Sequence, residues 1–232
     1  MTDHDLASER VDYVGDHLIE TAVPADPFLL FGVWLREAFA ARDRGEMAEP
    51  TAMAVATSVE GRPKVRTVLL KELRDDGFTF FTNYDSAKGR EITVNPAVSL
   101  HFGWHAVHRQ VRVEGEAEKV PREESEGYFA TRPRGSQLGA WASAQSSPVA
   151  SLAELQVSYA AAEERFAGSA VPCPDHWGGY LVRPHLIEFW QGQPSRMHDR
   201  LVYRLRGDGG GGATGEIGST GEIGWTITRL AP

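Results

Sequence analysis

Residues 51–83, TAMAVATSVEGRPKVRTVLLKELRDDGFTFFTN, decide the fold. Three runs rich in β-branched and aromatic residues, TAMAVATS (51–58), KVRTVLLKEL (64–73) and GFTFFTN (77–83), are separated by the turn signals Glu60-Gly61-Arg62-Pro63 and Asp75-Asp76-Gly77. AVSLHFGW (97–104) and RQVRVEGEAEKV (109–120) extend the series after Asn95-Pro96, and YLVRPHLIEFWQG (180–192), RLVYRLR (200–206) and WTITRLAP (225–232) return to strand. Consecutive hairpin-linked strands with few helices predict a mainly β fold with flanking helices, an antiparallel barrel rather than a parallel α/β sheet.

The helices are marked by their starts. Asp26-Pro27 pairs a capping side chain with a proline in the first turn, and Phe28, Phe31, Leu35 and Phe39 follow at helical spacing up to a stop at Gly45. Ser86 opens a short helix, and others are expected near 121–131 and 151–167. Residues 1–24 are polar and read as a mobile arm, leaving 25–232 as the folded domain. Within it, 207–224, GDGGGGATGEIGSTGEIG, is half glycine and reads as a flexible insert in the last hairpin, with too little apolar surface to offset its ordering entropy.

With 232 residues, 41% hydrophobic and 24% charged, the chain suits a soluble globular protein. A net charge of −8 argues against non-specific binding to nucleic acid or anionic membranes. The single cysteine excludes an intrachain disulfide, and the polar start MTDHDLASER lacks a signal pattern, so a cytoplasmic protein is expected. PFLLFGVWL (27–35) is too short to span a bilayer.

Against this acidic background, YFATRPRGSQLGAWASAQSS (128–147) carries no acid. It holds two arginines, a tyrosine, two glutamines and five hydroxyls, directly after a fourteen-residue stretch (114–127) with six glutamates. Such a donor-rich segment suits an anionic ligand. In SRMHDR (195–200), the spacing of Arg196, His198 and Arg200 would place all three on one face of a strand, where two arginines flanking a histidine call for an anion; a solvated edge strand is the plainer alternative. Arg66 and Lys71 interrupt an apolar strand, so each should meet an anion or reach solvent. Ser86 and Lys88 at a helix start make a phosphate cradle, or simply a capped helix. Gln110 could hydrogen-bond a heterocycle from within a strand, and Trp141, Trp177 and Trp190 could stack on a planar ligand or belong to the core. HExxH, GxSxG, GxGxxG and Walker patterns are absent, as is the Cys/His spacing of a zinc site; no metal site is expected, and any nucleotide-like cofactor must be held by side chains of barrel strands and loops.

Together RTVLLK (66–71), FFTNYDSAKGREI (80–92), WHAVHRQVRVEGEAE (104–118), the acid-free stretch 128–147, HWGGYLV (176–182), IEFWQGQPSRMHDRLVY (187–203) and WTITRLAP (225–232) resemble the pyridoxamine 5′-phosphate oxidase family, in order and from about Arg10 to Pro232. The resemblance implies an FMN-binding split β-barrel of Greek-key antiparallel type, and a homodimer with two FMN sites at the subunit interface. It implies oxidation of pyridoxine and pyridoxamine 5′-phosphates by O2 to pyridoxal 5′-phosphate, with release of hydrogen peroxide and, from the amine, ammonia. Carried over by position, the substrate phosphate would meet Lys71, Tyr128, Arg132 and Ser136. FMN would meet Arg66, Thr67, Val68, Leu69, Leu70, Lys71, Phe81, Thr82, Lys88, Gln110, Gln145, Ser146, Trp190 and Arg200, while Arg196 and His198 would face the substrate ring as the catalytic pair. Ala87 departs from the family, which commonly has an arginine there beside the FMN phosphate, and Arg10 and Tyr13 resemble residues of a family lid. Two rivals remain on the residues: a split-barrel reductase with another substrate, which would not need the Lys71/Tyr128/Arg132/Ser136 set, and a non-catalytic binder of flavin or pyridoxal phosphate.

Overall fold

The computed structural model describes residues 12–207 and 224–232, so the first eleven residues of the expected arm, Arg10 included, and nearly all of the Gly-rich insert lie outside the described residues. The strands hydrogen-bond in the order Arg62–Leu69, Ala52–Val59, Ala97–Trp104, Arg109–Lys119, Trp177–Gln191, Gly77–Asn83, Glu72–Arg74, with Asp199–Leu205 on Trp177–Gln191 and Trp225–Arg229 on Asp199–Leu205, an open sheet of the split-barrel kind. The described residues divide into two compact units, one of 12–50, 101–113, 185–207 and 224–232, the other of Thr51–Leu100 and Glu114–Pro184.

In the second unit, β1 (Ala52–Val59) and β2 (Arg62–Leu69) form an antiparallel hairpin closed by Val59↔Arg62. Its two turn residues, Glu60 (φ 52°) and Gly61 (φ 72°), both adopt the left-handed region, as a tight hairpin turn demands. The run expected as one strand over 64–73 is in fact two, because the ladder changes partner. The Leu70 N–H donates to Thr51 O, but the Lys71 N–H donates to Thr79 O, and the chain continues as β3 (Glu72–Arg74) against β4 (Gly77–Asn83). On its other edge β4 pairs with β7 (Trp177–Gln191), from Asn83↔Trp177 to Phe78↔Val182. β5 (Ala97–Trp104) and β6 (Arg109–Lys119) are long strands divided between the units, as is β7.

Four helices flank these strands: α2 (Ala87–Val94), α3 (Arg122–Thr131), α4 (Arg134–Ala142) and α5 (Leu152–Arg165). α4 has no counterpart among the expected helices, and Pro133, Gly135 and Gly139 are poor helix formers. It forms because Leu138 is buried in a cluster with Phe129, Phe166 and Trp177, so tertiary packing overrides weak local propensity.

In the first unit, α1 (Pro27–Asp43) starts as expected, with Asp26 accepting from the Phe28 N–H at 2.8 Å, and Gly45 at φ 79° follows its end. The buried face differs from the one expected. Phe28 and Phe31 are inside, but Trp34, Ala38 and Ala41 complete the face, while Leu35 and Phe39 are half-buried. Phe31 packs edge-on to Phe102 and Trp34 to Phe189. β8 (Asp199–Leu205) pairs with β7 and with β9 (Trp225–Arg229), which closes the chain. Residues 12–24 join this unit: Leu18 is buried and Tyr203 donates its hydroxyl to Pro24 O at 2.8 Å. Among the described residues no helix is long and apolar enough to cross a membrane.

Candidate active site

The second unit holds a cavity of about 490 Å³, within the size range of small-ligand sites. Its walls carry Lys71, Lys88 and Arg132 and no Asp or Glu. Thr67, Val68 and Leu69 from β2, Phe81 and Thr82 from β4, and Gln145 line it with Tyr128 and Ser136. The cavity therefore gathers all four residues expected at a substrate phosphate and most of those expected at FMN in this unit.

Proline chemistry sets one wall. Pro133 disfavours helical backbone at Arg132, which is extended (φ −70°, ψ 147°) and ends α3 one turn after Tyr128. α4 starts directly afterwards, placing Ser136 in its first turn, where the Ser136 N–H donates to Pro133 O at 2.8 Å. The Arg132 guanidinium lies 4.6 Å over the Trp177 ring, and its Nη1 is buried with no hydrogen-bond partner. Burial depresses its pKa from the ordinary arginine value. The rings of Phe81, Tyr128 and Trp177 are nearly parallel, with centroids 4.0 Å (Phe81–Tyr128), 5.5 Å (Phe81–Trp177) and 6.2 Å (Tyr128–Trp177) apart. A buried guanidinium nitrogen with an open donor is the feature that an anionic group would satisfy.

The opposite cation is Lys88. Ser86 caps α2 by accepting from the Gly89 N–H, which fixes Lys88 in the first turn. Gly89 permits this because a Cβ there would lie 2.0 Å from Tyr84 O. Lys88 Nζ is buried and reaches three neutral oxygens, Thr82 Oγ1 at 2.9 Å, Gln145 Oε1 at 3.0 Å and Ser86 Oγ at 3.3 Å. Burial, and then the nearby Arg66 charge, lower its pKa.

Three expected cofactor residues in this unit lie off the cavity wall. Leu70 is in the core, and Ser146 is exposed in a left-handed conformation (φ 70°). Arg66 is held by Glu91 (Nη2–Oε2, 2.6 Å) and by Thr57 Oγ1 at 2.7 Å, so its anion is a side chain of its own chain. Lys64 bonds the other oxygen of Glu91 at 2.7 Å. Burial alone would raise the Glu91 pKa, but these hydrogen bonds and the Arg66 charge bring it down to about 2.

The remaining expected residues belong to the first unit. Gln110 Oε1 pairs with His101 Nε2 at 3.0 Å. Arg200 Nε donates to Glu188 Oε1 at 2.6 Å, and Arg112 holds the other oxygen of that buried carboxylate. Arg196 and His198 are not on a strand, which corrects the same-face expectation for Arg196, His198 and Arg200. Pro194–Arg196 form a 3-10 turn with Ser195 (φ 57°) and Arg196 (φ 60°) both left-handed, and β8 starts only at Asp199. Proline at the turn's first position interrupts the strand. Arg196 is exposed, and His198 packs at 4.6 Å on Trp190 and edge-on to Tyr13.

Sequence reasoning missed the acids that organise these cations, Glu91 and Glu188, and the buried pair Gln193 and Asp199. Both carboxylates lie inside quoted segments, but nothing local in the sequence says which cation each one meets; only Arg66 and Arg200 implied that partners must exist.

Comparison with known proteins places these features. Residues 40–166 match the family model described as pyridoxamine 5′-phosphate oxidase, and residues 177–232 match the pyridoxine 5′-phosphate oxidase C-terminal dimerisation region. A pyridoxine/pyridoxamine 5′-phosphate oxidase of Ectopseudomonas mendocina is 50% identical over 228 residues, covering 98% of each chain. One from Pseudomonas paraeruginosa is 52% identical over 200 residues, 86% of this chain and 92% of the relative. Among solved structures, PhzG from Burkholderia lata 383, in complex with tetrahydrophenazine-1-carboxylic acid, superposes with a TM-score of 0.80 at 29% identity, covering 94% of this chain and 98% of that one. With two family models accounting for most of its length and half its residues shared with full-length relatives, the chain belongs to the pyridoxamine 5′-phosphate oxidase family.

Proposed function

We infer that the protein is a pyridoxine/pyridoxamine 5′-phosphate oxidase, an FMN-dependent enzyme that makes pyridoxal 5′-phosphate in vitamin B6 salvage. Its family and its full-length relatives support this activity. The observation that carries the reading in the fold is the acid-free cavity, with three cations and a buried, unpartnered Arg132 nitrogen on its walls. That donor set fits phosphate-bearing ligands. Both FMN and the substrate carry a phosphate.

On this reading Lys88, with Thr82 and Gln145 beside it, and the Thr67, Val68 and Leu69 wall of the cavity would hold FMN. Lys71, Tyr128, Arg132 and Ser136 hold the substrate phosphate. FMN, when bound, would supply the two-electron acceptor for the C4′ hydride, with O2 as the terminal oxidant. The chain's own residues contribute binding and orientation. Charged donors on the phosphate fix the substrate at a point remote from the reacting carbon, so binding energy is spent on alignment. Arg196 and His198 address the ring. The match of residues 177–232 to a dimerisation region supports a homodimer, and the scattered cofactor residues agree with FMN sites at its interface.

The test is the spectrum of the purified protein. Bound flavin that is bleached anaerobically by pyridoxine 5′-phosphate, and restored by O2, is the expected result. Flavin that no B6 phosphate reduces would instead favour a binder or a reductase with another substrate.

A further inference from the structure

The segment GQPSRMHD (192–199) contains a bond whose chemical consequence reaches beyond that reading, although its functional half rests on it. The Gln193 N–H donates to Nδ1 of His198 at 3.1 Å. A ring nitrogen that accepts a hydrogen bond carries no proton, so the neutral imidazole must carry its hydrogen on Nε2. We propose that Gln193 is a positioning residue for His198, fixing it as the Nε2–H tautomer so that it meets the substrate as a hydrogen-bond donor and not as a proton acceptor.

The surrounding geometry explains how the bond is kept. To bring His198 back onto the Gln193 N–H, the chain makes the 194–196 turn with two successive non-glycine residues in the left-handed region. Such a conformation persists only where its surroundings over-determine it. Gln193 supplies that constraint. It is buried, and its Nε2 lies 3.1 Å from Gly15 O, 3.3 Å from Asp16 O and 3.0 Å from Asp199 Oδ2. Asp199, buried itself, also accepts from His17 Nδ1, the Leu18 N–H and Arg229 Nη1, which anchors it from two further segments. The His198 ring is held on its faces and edges by Trp190 and Tyr13. Among the described residues Nε2 has no protein partner. Arg196, the neighbouring candidate, is a permanent donor. The pair therefore offers the substrate only hydrogens, and neither is the group that takes a proton from the C4′ substituent.

The experiment is nitrogen NMR on the FMN-loaded full chain with labelled histidine, in alkaline buffer where imidazoles are neutral. The His198 signals are identified by their loss in His198→Gln. The expected pattern is the Nε2–H tautomer before any substrate is added. Gln193→Ala should then give a mixture of tautomers and lower kcat about tenfold to a hundredfold, with flavin affinity unchanged. Asp199→Asn, which keeps an acceptor for Gln193, should by contrast retain most of the wild-type rate. An Nδ1–H pattern in the active wild-type enzyme overturns the proposal alone. So does a Gln193→Ala variant with both tautomer and kcat unchanged. If that variant does not fold, the wild-type spectrum decides. A protein that shows the Nε2–H form but fails to oxidise pyridoxine 5′-phosphate overturns the functional reading, and the role given to His198 with it.

Discussion

Nη2 of Arg66 donates to Oε2 of Glu91 at 2.6 Å, joining a strand of the cavity to the helix that carries Lys88. The bond makes α2 a two-sided device. Its first turn offers Lys88 to the cavity, and three residues later Glu91 pairs with Arg66 and partly offsets the arginine charge that bears on that lysine. Glu188 does the same for Arg200 in the other unit, so both arginines expected at the cofactor are clamped by buried acids.

Removing the Glu91 charge should destabilise the protein in a pH-dependent way. Breaking a buried pair by deleting one partner costs about 3–5 kcal/mol, and Glu91→Gln should fall toward the lower end because its amide still offers hydrogen bonds. The folded pKa, about 2, lies below the ordinary 4.5, so the carboxylate's contribution is fully present above about pH 4.5 and disappears as pH falls toward 2. Thermal melts of both proteins from pH 7 to 3 should therefore converge on the acid side. A gap in melting temperature that is constant across that range would contradict the ion-pair role.

Lys88→Met should weaken FMN binding about tenfold to a hundredfold, the value of one charge-assisted hydrogen bond at roughly 1.5–3 kcal/mol. Lys88 has only neutral oxygens as hydrogen-bond partners, and its charge is partly desolvated, so an incoming phosphate has little to displace. Flavin fluorescence titration of the apoprotein measures it. Unchanged affinity would move the cofactor phosphate elsewhere in the cavity.

Much of this was legible in the sequence, for physical reasons that differ by element. The hairpins were readable because Glu60-Gly61 and Asp75-Asp76-Gly77 determine backbone geometry locally. The 27–43 helix start was readable because Asp26 and Pro27 act within one turn. The break at Leu70–Lys71 was not, since it arises when the backbone changes partner from Thr51 to Thr79, a non-local event. α4 was hidden by its glycines and forms around Leu138. The Arg196/His198 segment misled because alternate spacing implies a strand only if the backbone is extended, and Pro194 turns it instead. The four phosphate candidates came from the family resemblance, and the cavity independently places them together.

The last hairpin should tolerate shortening. β8 and β9 remain in register up to Leu205↔Trp225, and the Arg206 N–H donates to Gly224 O at 2.9 Å, so the described ends of the segment are already neighbours. Replacing residues 208–222 by Asn-Gly should leave the melting temperature within a few degrees and kcat within about twofold, because surface changes away from packed features usually stay within about 0.5 kcal/mol. A large fall in either quantity would show that the replaced residues hold something essential.

Phosphate selectivity offers the most direct test of the cavity. Lys71 and Arg132 bring two charges, Tyr128 and Ser136 two hydroxyls, and the buried Arg132 Nη1 is the donor still without a partner. Hydrogen bonds to charged groups are worth roughly 1.5–3 kcal/mol each, so a substrate lacking the phosphate forfeits two such contacts, about two to four powers of ten in kcat/KM. Unphosphorylated pyridoxine should accordingly be a very poor substrate. Arg132→Ala should narrow the gap between the two compounds by lowering kcat/KM for the phosphate ester while barely changing that for pyridoxine. Because Arg132 also lies over the Trp177 ring, Arg132→Lys serves as the control: it keeps the charge but loses the fork, and should fall between the two. Comparable kcat/KM values for pyridoxine and its phosphate in the wild-type enzyme would mean that these four side chains serve some other anion.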